Sequence, residues 1–180
     1  MKDAVLAAVD RDHLVQWAVD LANIVSMTGE EQPLAEYLGR QFEALGMRVR
    51  YQEVEEGRLN VIGELRGSEK GATLMFCGHL DHFDTPEPTQ VIGDRIYGRG
   101  LVNMKAAFPV YLGAVEALQK AQVPLEGTII ISGVVGEIEK AQVSGYHGKT
   151  YRGGGVGAGL SDETPLAVTP CYRSSTATGF

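Results

Sequence analysis

The sequence predicts an α/β fold in which helices pack on a largely parallel or mixed sheet. Segments with apolar residues every three or four positions alternate with short runs rich in β-branched residues. Two of those runs end abruptly in a glycine followed by ionisable residues, Gly78-His79-Leu80-Asp81 and Gly136-Glu137, and open α/β sheets place their ligand sites at such strand ends. With 44% hydrophobic and 22% charged residues over 180 positions, the composition is that of an ordinary globular protein with a real core.

The first helix is expected over residues 10–26, where Leu14, Val15, Ala18, Leu21, Ala22 and Val25 share a face. Trp17 falls near its margin and His13 at its exposed start. Thr28-Gly29-Glu30-Glu31 reads as the start of a second helix, with Thr28 as cap and Glu31 as the answering partner of a capping box. That helix carries Leu34, Leu38, Phe42 and Leu45 and stops at Gly46. Residues 47–54 alternate apolar and polar as a half-buried strand. Gly57 supplies a turn, and residues 59–65 form a second strand with Asn60 near its start.

The apolar run 72–77 is too short for a helix and reads as a buried strand. Residues 84–88, with two prolines, form a rigid loop that cannot continue a sheet. Residues 91–97 suggest a hairpin turning at Gly93-Asp94, and Gly98-Arg99-Gly100 permits a close backbone turn. A third helix is expected from about 104 to 119, with Pro109 tolerated in its early turns. Residues 125–135 form a β-branched strand, expected to leave an exposed β edge along its flank. The glycine-rich stretch 145–159 contains Gly153-Gly154-Gly155, but no Lys-Ser/Thr pair follows, so a phosphate loop is set aside. From 160 to 180 no period of 2 or 3.6 persists. The chain therefore divides into an α/β portion, 1–158, and an irregular tail, 159–180.

A net charge of −7 without a basic patch disfavours a nucleic-acid binder, and no nucleic-acid partner is expected. Cys77 and Cys171 stand in unlike contexts and do not suggest a disulfide framework; Cys77 is expected to be a small buried thiol. The apolar run 4–9 is too short for a signal peptide, and no stretch is expected to reach membrane-spanning length, so a cytoplasmic protein without membrane partners is the expectation.

Three polar clusters fall at strand ends or a helix start: His79/Asp81, Asn103/Lys105 and Glu137/Glu139. An imidazole at a strand end can take a metal ion while a carboxylate two residues on holds its other nitrogen. His82 and His147 are read as surface or loop residues, and Lys105 as a packing or ion-pair residue.

Together, Gly78-His79-Leu80-Asp81, Tyr97-Gly98-Arg99-Gly100-x-x-Asn103-Met104-Lys105 and Gly136-Glu137 resemble the M20 family of metallopeptidases and deacylases, over about residues 10–158. The resemblance implies that 1–158 is the N-terminal part of a truncated zinc-exopeptidase-like catalytic domain that hydrolyses the amide bond of N-acyl amino acids or small peptides, and that the tail 159–180, which no longer looks like the family, is truncated or out of frame. It implies His79 as a ligand of one of two zinc ions (cobalt or manganese being alternatives), Asp81 as its steadying partner and Glu137 as general base. It also implies a dimerising lid domain, and hence a homodimer, in a full-length parent.

Two positions depart from the family pattern. Asn103 stands where the family has a metal-bridging aspartate, and Ile138 where it has a metal-binding glutamate, with Glu139 one residue further. An amide oxygen can ligate but bridges two cations poorly, which implies one tight metal at most or a weakened pair. The competing expectation is a non-catalytic relative that binds an amino-acid-like ligand.

Overall fold

The computed structural model describes residues 1–68, 70–83, 88–138 and 156–161. Glu139, His147, Cys171, most of the expected loop 84–88, the segment 145–155 and the tail 162–180 lie outside the described residues. In chain order the elements are α1 (Lys2–Ala7), α2 (Arg11–Asn23), α3 (Gln32–Ala44), β1 (Arg48–Glu55), β2 (Arg58–Arg66), β3 (Thr73–His79), β4 (Gln90–Ile92) and β5 (Arg95–Tyr97). A π-type turn, Leu101–Lys105, then leads into α4 (Ala107–Lys120), followed by β6 (Thr128–Val134) and α5 (Val156–Ser161).

The main sheet is mixed, in the order β1-β2-β6-β3. β1 and β2 are antiparallel, β2 and β6 antiparallel, and β6 and β3 parallel. β6 is therefore an interior strand, not flanked by the expected exposed edge; among the described residues the edge strands are β1 and β3. Strand order depends on pairings between distant segments, which the apolar run itself does not encode. β4 and β5 form the expected hairpin around Gly93-Asp94.

One face of the sheet carries the core. Val61 and Gly63 of β2 lie opposite Gly133 and Ile131 of β6, which lie opposite Gly78 and Phe76 of β3. Against this face pack Leu34, Leu38 and Phe42 of α3, Trp17 and Leu21 of α2, and Phe108, Leu112 and Val115 of α4. Fully burying each large side chain contributes ~1.5–3 kcal/mol. Trp17, expected at a margin, is in this core, its indole N–H donating to Gln41 Oε1 at 3.0 Å. Val25 instead faces solvent and Cys77 is half-buried. The stretch Leu101–Lys120 does have the length and composition to cross a bilayer, contrary to the expectation, although half of it is buried inside the fold.

The glycines of the central rows are demanded by close approach. A Cβ on Gly63 would meet the Phe42 ring at 2.7 Å, and one on Gly133 would meet Leu80 Cδ2 at 2.7 Å and Val61 Cγ1 at 3.0 Å. The notch at Gly133 lets Leu80 fold under the sheet while its N–H donates to Val134 O at 2.8 Å. The strand ends as His79 and Asp81 emerge at its C-terminal edge.

Two buried cations lock the helices. Arg58, 1% exposed, donates through Nε and Nη2 to Glu31 at 3.1 and 2.6 Å and through Nη1 to Glu55 at 2.8 Å. Lys105, also buried, donates through Nζ to the carbonyls of Leu21 and Ile24 at 3.0 and 2.5 Å, closing the C-terminal end of α2. The role is packing, as expected, but with carbonyls rather than an ion pair. Burial, aided by the Arg99 charge, lowers the Lys105 pKa to about 7.

Candidate active site

The site forms at the C-terminal end of β3. His79 is its last residue and is 5% exposed. Its Nδ1 lies 2.9 Å from the backbone oxygen of Asp81 and 3.4 Å from Asp81 Oδ1. Both are acceptors, so Nδ1 carries a proton, and Nε2 points away from Asp81. Nε2 lies 3.0 Å from Asn103 Oδ1 and 3.8 Å from Glu137 Oε2. The three sequence motifs thus bring His79, Asn103 and Glu137 together at one point.

Asn103 reaches this point because the chain before α4 is not helical. Gly100 adopts φ +68°, which a side-chained residue resists. Asn103 (φ −139°, ψ 97°) is extended, Met104 (φ −134°, ψ 30°) is likewise outside the helical region, and the peptide between them is cis. The helix expected from Met104 consequently begins at Ala107. Glu137 follows Gly136, whose φ of +70° turns the chain out of β6, and its side chain stays partly open, 34% exposed.

Asp81 is the hub beneath these groups and is fully buried. Its Oδ1 accepts the backbone N–H of Glu137 at 3.1 Å, and its Oδ2 accepts the N–H of Ile138 and the hydroxyl of Thr28, each at 2.8 Å. Burial alone would raise the Asp81 pKa. The hydrogen bonds from His79, Ile138, Thr28 and Glu137 outweigh it and hold the carboxyl below its usual range. For His79, burial opposes the charged ring, but bonding to Asp81 and Asn103 and the Asp81 charge prevail, so its pKa is raised.

Two expectations are corrected here. Thr28 and Glu31 do not form a capping box: no side chain caps α3, Thr28 is bonded to Asp81 and Glu31 to Arg58. His82 is not a surface residue but 2% exposed. Its Nε2 accepts the N–H of Ser26 at 3.1 Å and its Nδ1–H donates to the Phe83 carbonyl. The Ser26–His82 and Thr28–Asp81 links join segments more than 50 residues apart, so nothing local in the sequence announces them. The same holds for Asn60, whose amide joins Val135 N–H at 3.0 Å and the Gly157 carbonyl at 2.8 Å.

The donors around His79 Nε2 suit one metal ion. Bonds of ~2.1 Å to a tetrahedral ion place its ligand atoms roughly 3.4 Å apart, and the 3.0 Å between Nε2 and Asn103 Oδ1 is near that value, while Glu137 Oε2 stands beside the pair, 3.8 Å from Nε2. A second ion finds no further donor there among the described residues. Asp81 is committed to N–H and O–H donors, and Ile138, 9% exposed, offers only hydrocarbon. Elsewhere, Asp10, His13 and Glu116 group their potential ligand atoms within 4.8 Å. His13, exposed as expected, pairs with Glu116 at 2.7 Å, and Lys120 already bridges Asp10 and Glu116 at 3.1 and 3.2 Å.

No family model matches the chain. A Pyrococcus abyssi protein described as a LysW-lysine/LysW-ornithine hydrolase is 29% identical over 129 residues, 72% of this chain and 34% of that relative. A succinyl-diaminopimelate desuccinylase of Ehrlichia ruminantium is 35% identical over 77 residues, 38% of this chain and 20% of that enzyme. Among solved structures, a Bacillus subtilis protein described as a dinuclear metal binding peptidase of the M20 family superposes with a TM-score of 0.55. It is 17% identical and covers 71% of this chain and 37% of its own. The chain spans about a third of the length of the first of these relatives. In sequence and in α/β zinc-exopeptidase-like fold, the chain resembles the M20 metallopeptidases and deacylases.

Proposed function

We propose that this chain is part of the catalytic domain of a metal-dependent amidohydrolase acting on N-acyl amino acids or small peptides. The convergence of His79 Nε2, Asn103 Oδ1 and Glu137 Oε2 at the end of β3 carries the reading. His79 and Asn103 would hold one ion, zinc in the first instance with cobalt or manganese as alternatives. Such an ion, when bound, polarises a carbonyl and lowers the pKa of its water. Glu137, partly open to solvent and within reach of the same point, accepts the proton of the attacking water. Asp81 keeps the Nδ1 proton in place and so leaves Nε2 to face the metal. The relatives described as a hydrolase and a desuccinylase support the reaction class.

Catalytic zinc sites commonly use three protein ligands and water. With an uncharged amide as one donor, these 180 residues alone are expected to hold zinc weakly and not to turn over substrate. The second reading, a non-catalytic protein that binds an amino-acid-like ligand, is favoured by Asn103 and by the buried hydrocarbon of Ile138.

Zinc content after equilibrium dialysis, compared between the native chain and His79→Ala, tests the first reading. Loss of zinc in the variant is expected, and equal stoichiometry in the two overturns it. Calorimetry with N-acetyl amino acids and dipeptides in excess chelator separates the second, because binding that needs no metal supports the non-catalytic protein.

A further inference from the structure

The segment between α2 and α3 is riveted to the chain leaving β3. Ser26 N–H donates to His82 Nε2 at 3.1 Å, and His82 N–H donates to Ser26 O at 3.0 Å. Ser26 Oγ donates to Leu80 O at 2.7 Å, and Met27 and His82 form a parallel β-bridge. Ser26 and His82 are both buried, 0% and 2% exposed. Because Nε2 of His82 accepts, the proton of the neutral ring sits on Nδ1, where the Phe83 carbonyl takes it. The ring therefore has one tautomer and one orientation, and the outcome of this rivet is the placement of Thr28.

Asp81 shows why that placement matters. Oδ1 faces Glu137 N–H and His79 Nδ1, and Oδ2 faces Ile138 N–H and Thr28 Oγ1. The two amides belong to one short segment after β6 and could follow the carboxylate if it rotated. The Thr28 hydroxyl comes from a different segment, held independently by His82, and opposes that rotation. We infer that Thr28, held by His82, is a positioning residue of the active site: its hydroxyl fixes the plane of the Asp81 carboxylate, and through it the His79 ring and the backbone at Glu137. This deepens the hydrolytic reading and rests on it, since the groups aligned are those assigned to metal and proton transfer.

The test uses the 180-residue chain with Thr28→Val, which keeps shape but loses the donor, and Thr28→Ser, which restores it. Two quantities are read: amide hydrogen exchange at Glu137 and Ile138, and zinc affinity by competition with a chromogenic chelator. Thr28→Val is expected to speed exchange at those two amides ~10-fold relative to amides of the β1–β2 pair, which also reports that the fold is intact. Outer-shell partners typically contribute 10–100-fold to metal affinity, so zinc binding should weaken by about that factor. Thr28→Ser is expected to return both quantities to wild type, which a general loss of packing at this position would not produce. Wild-type exchange and wild-type zinc affinity in Thr28→Val overturn the inference. If the native chain binds zinc no more tightly than His79→Ala, the hydrolytic reading falls, and the positioning role is decided by exchange alone.

Discussion

Asp81 Oδ2 accepts the backbone N–H of Ile138 at 2.8 Å, and this bond ties the end of β3 to the chain leaving β6 at the base of the site. An asparagine at position 81 would turn an amide group toward donors that need an acceptor. Asp81→Asn is expected to cost about 2–4 kcal/mol, the penalty for leaving buried hydrogen-bonding groups unmatched. For a chain of this size that lowers Tm by roughly 5–15 °C. Thermal unfolding by circular dichroism measures it, and a Tm within a degree of wild type would mean that the hub is not structural.

Asn103 approaches the same imidazole from the other side, 3.0 Å from Nε2. Its side chain is a neutral amide and would bring a metal ion no charge. Asn103→Asp supplies a carboxylate able to bridge two cations, so calorimetric titration with zinc should show tighter binding and occupancy of a second site. An unchanged number of sites would count against the view that residue 103 limits metal occupancy.

The parts of the molecule legible in the sequence are those written in local pattern. β1, β2, β3, the β4–β5 hairpin and the helices around Leu21, Phe42 and Leu112 follow from apolar period and turn residues, and the meeting of His79, Asn103 and Glu137 was signalled by their glycine-flanked motifs. What escaped is carried by buried polar side chains reaching far along the chain. Thr28 looked like a helix cap because its hydroxyl has the chemistry of one, yet the acceptor it found is 53 residues away. His82 looked like a loop histidine because its partner, Ser26, lies in a different segment. The interior position of β6 escaped for a related reason, since its two neighbours are fixed by register rather than by composition.

Arg58 and Glu31 make a buried ion pair that ties the start of α3 to β2, with side chains 1% and 0% exposed. Removing one partner leaves the other charge buried. Glu31→Gln and Arg58→Met are each expected to destabilise by about 3–5 kcal/mol, whereas the double variant should lose much less than their sum. Denaturant unfolding of the four proteins in the cycle measures the coupling. Additive losses would mean that the pair does not act as a unit.

The packing beneath the site offers a last prediction, because a glycine there controls where Leu80 sits. A methyl group on Gly133 would lie 2.7 Å from Leu80 Cδ2 and 3.0 Å from Val61 Cγ1. Leu80 cannot retreat freely, since its N–H is bonded to Val134 O. Its neighbours on either side in sequence are His79 and Asp81. Gly133→Ala should therefore cost about 1–3 kcal/mol through overpacking and also shift the His79 and Asp81 resonances in a nitrogen–proton correlation spectrum. Trimming the obstructing side chain in Gly133→Ala/Leu80→Val should recover part of both effects. Gly46→Ala provides the contrast, for its Cβ would meet nothing within 4 Å and only its φ of +69° is at stake. That variant should lose stability through backbone strain alone and leave the His79 and Asp81 resonances where they are. If Gly133→Ala behaves in the same way, moving stability but not those resonances, the notch shapes the core without setting the site.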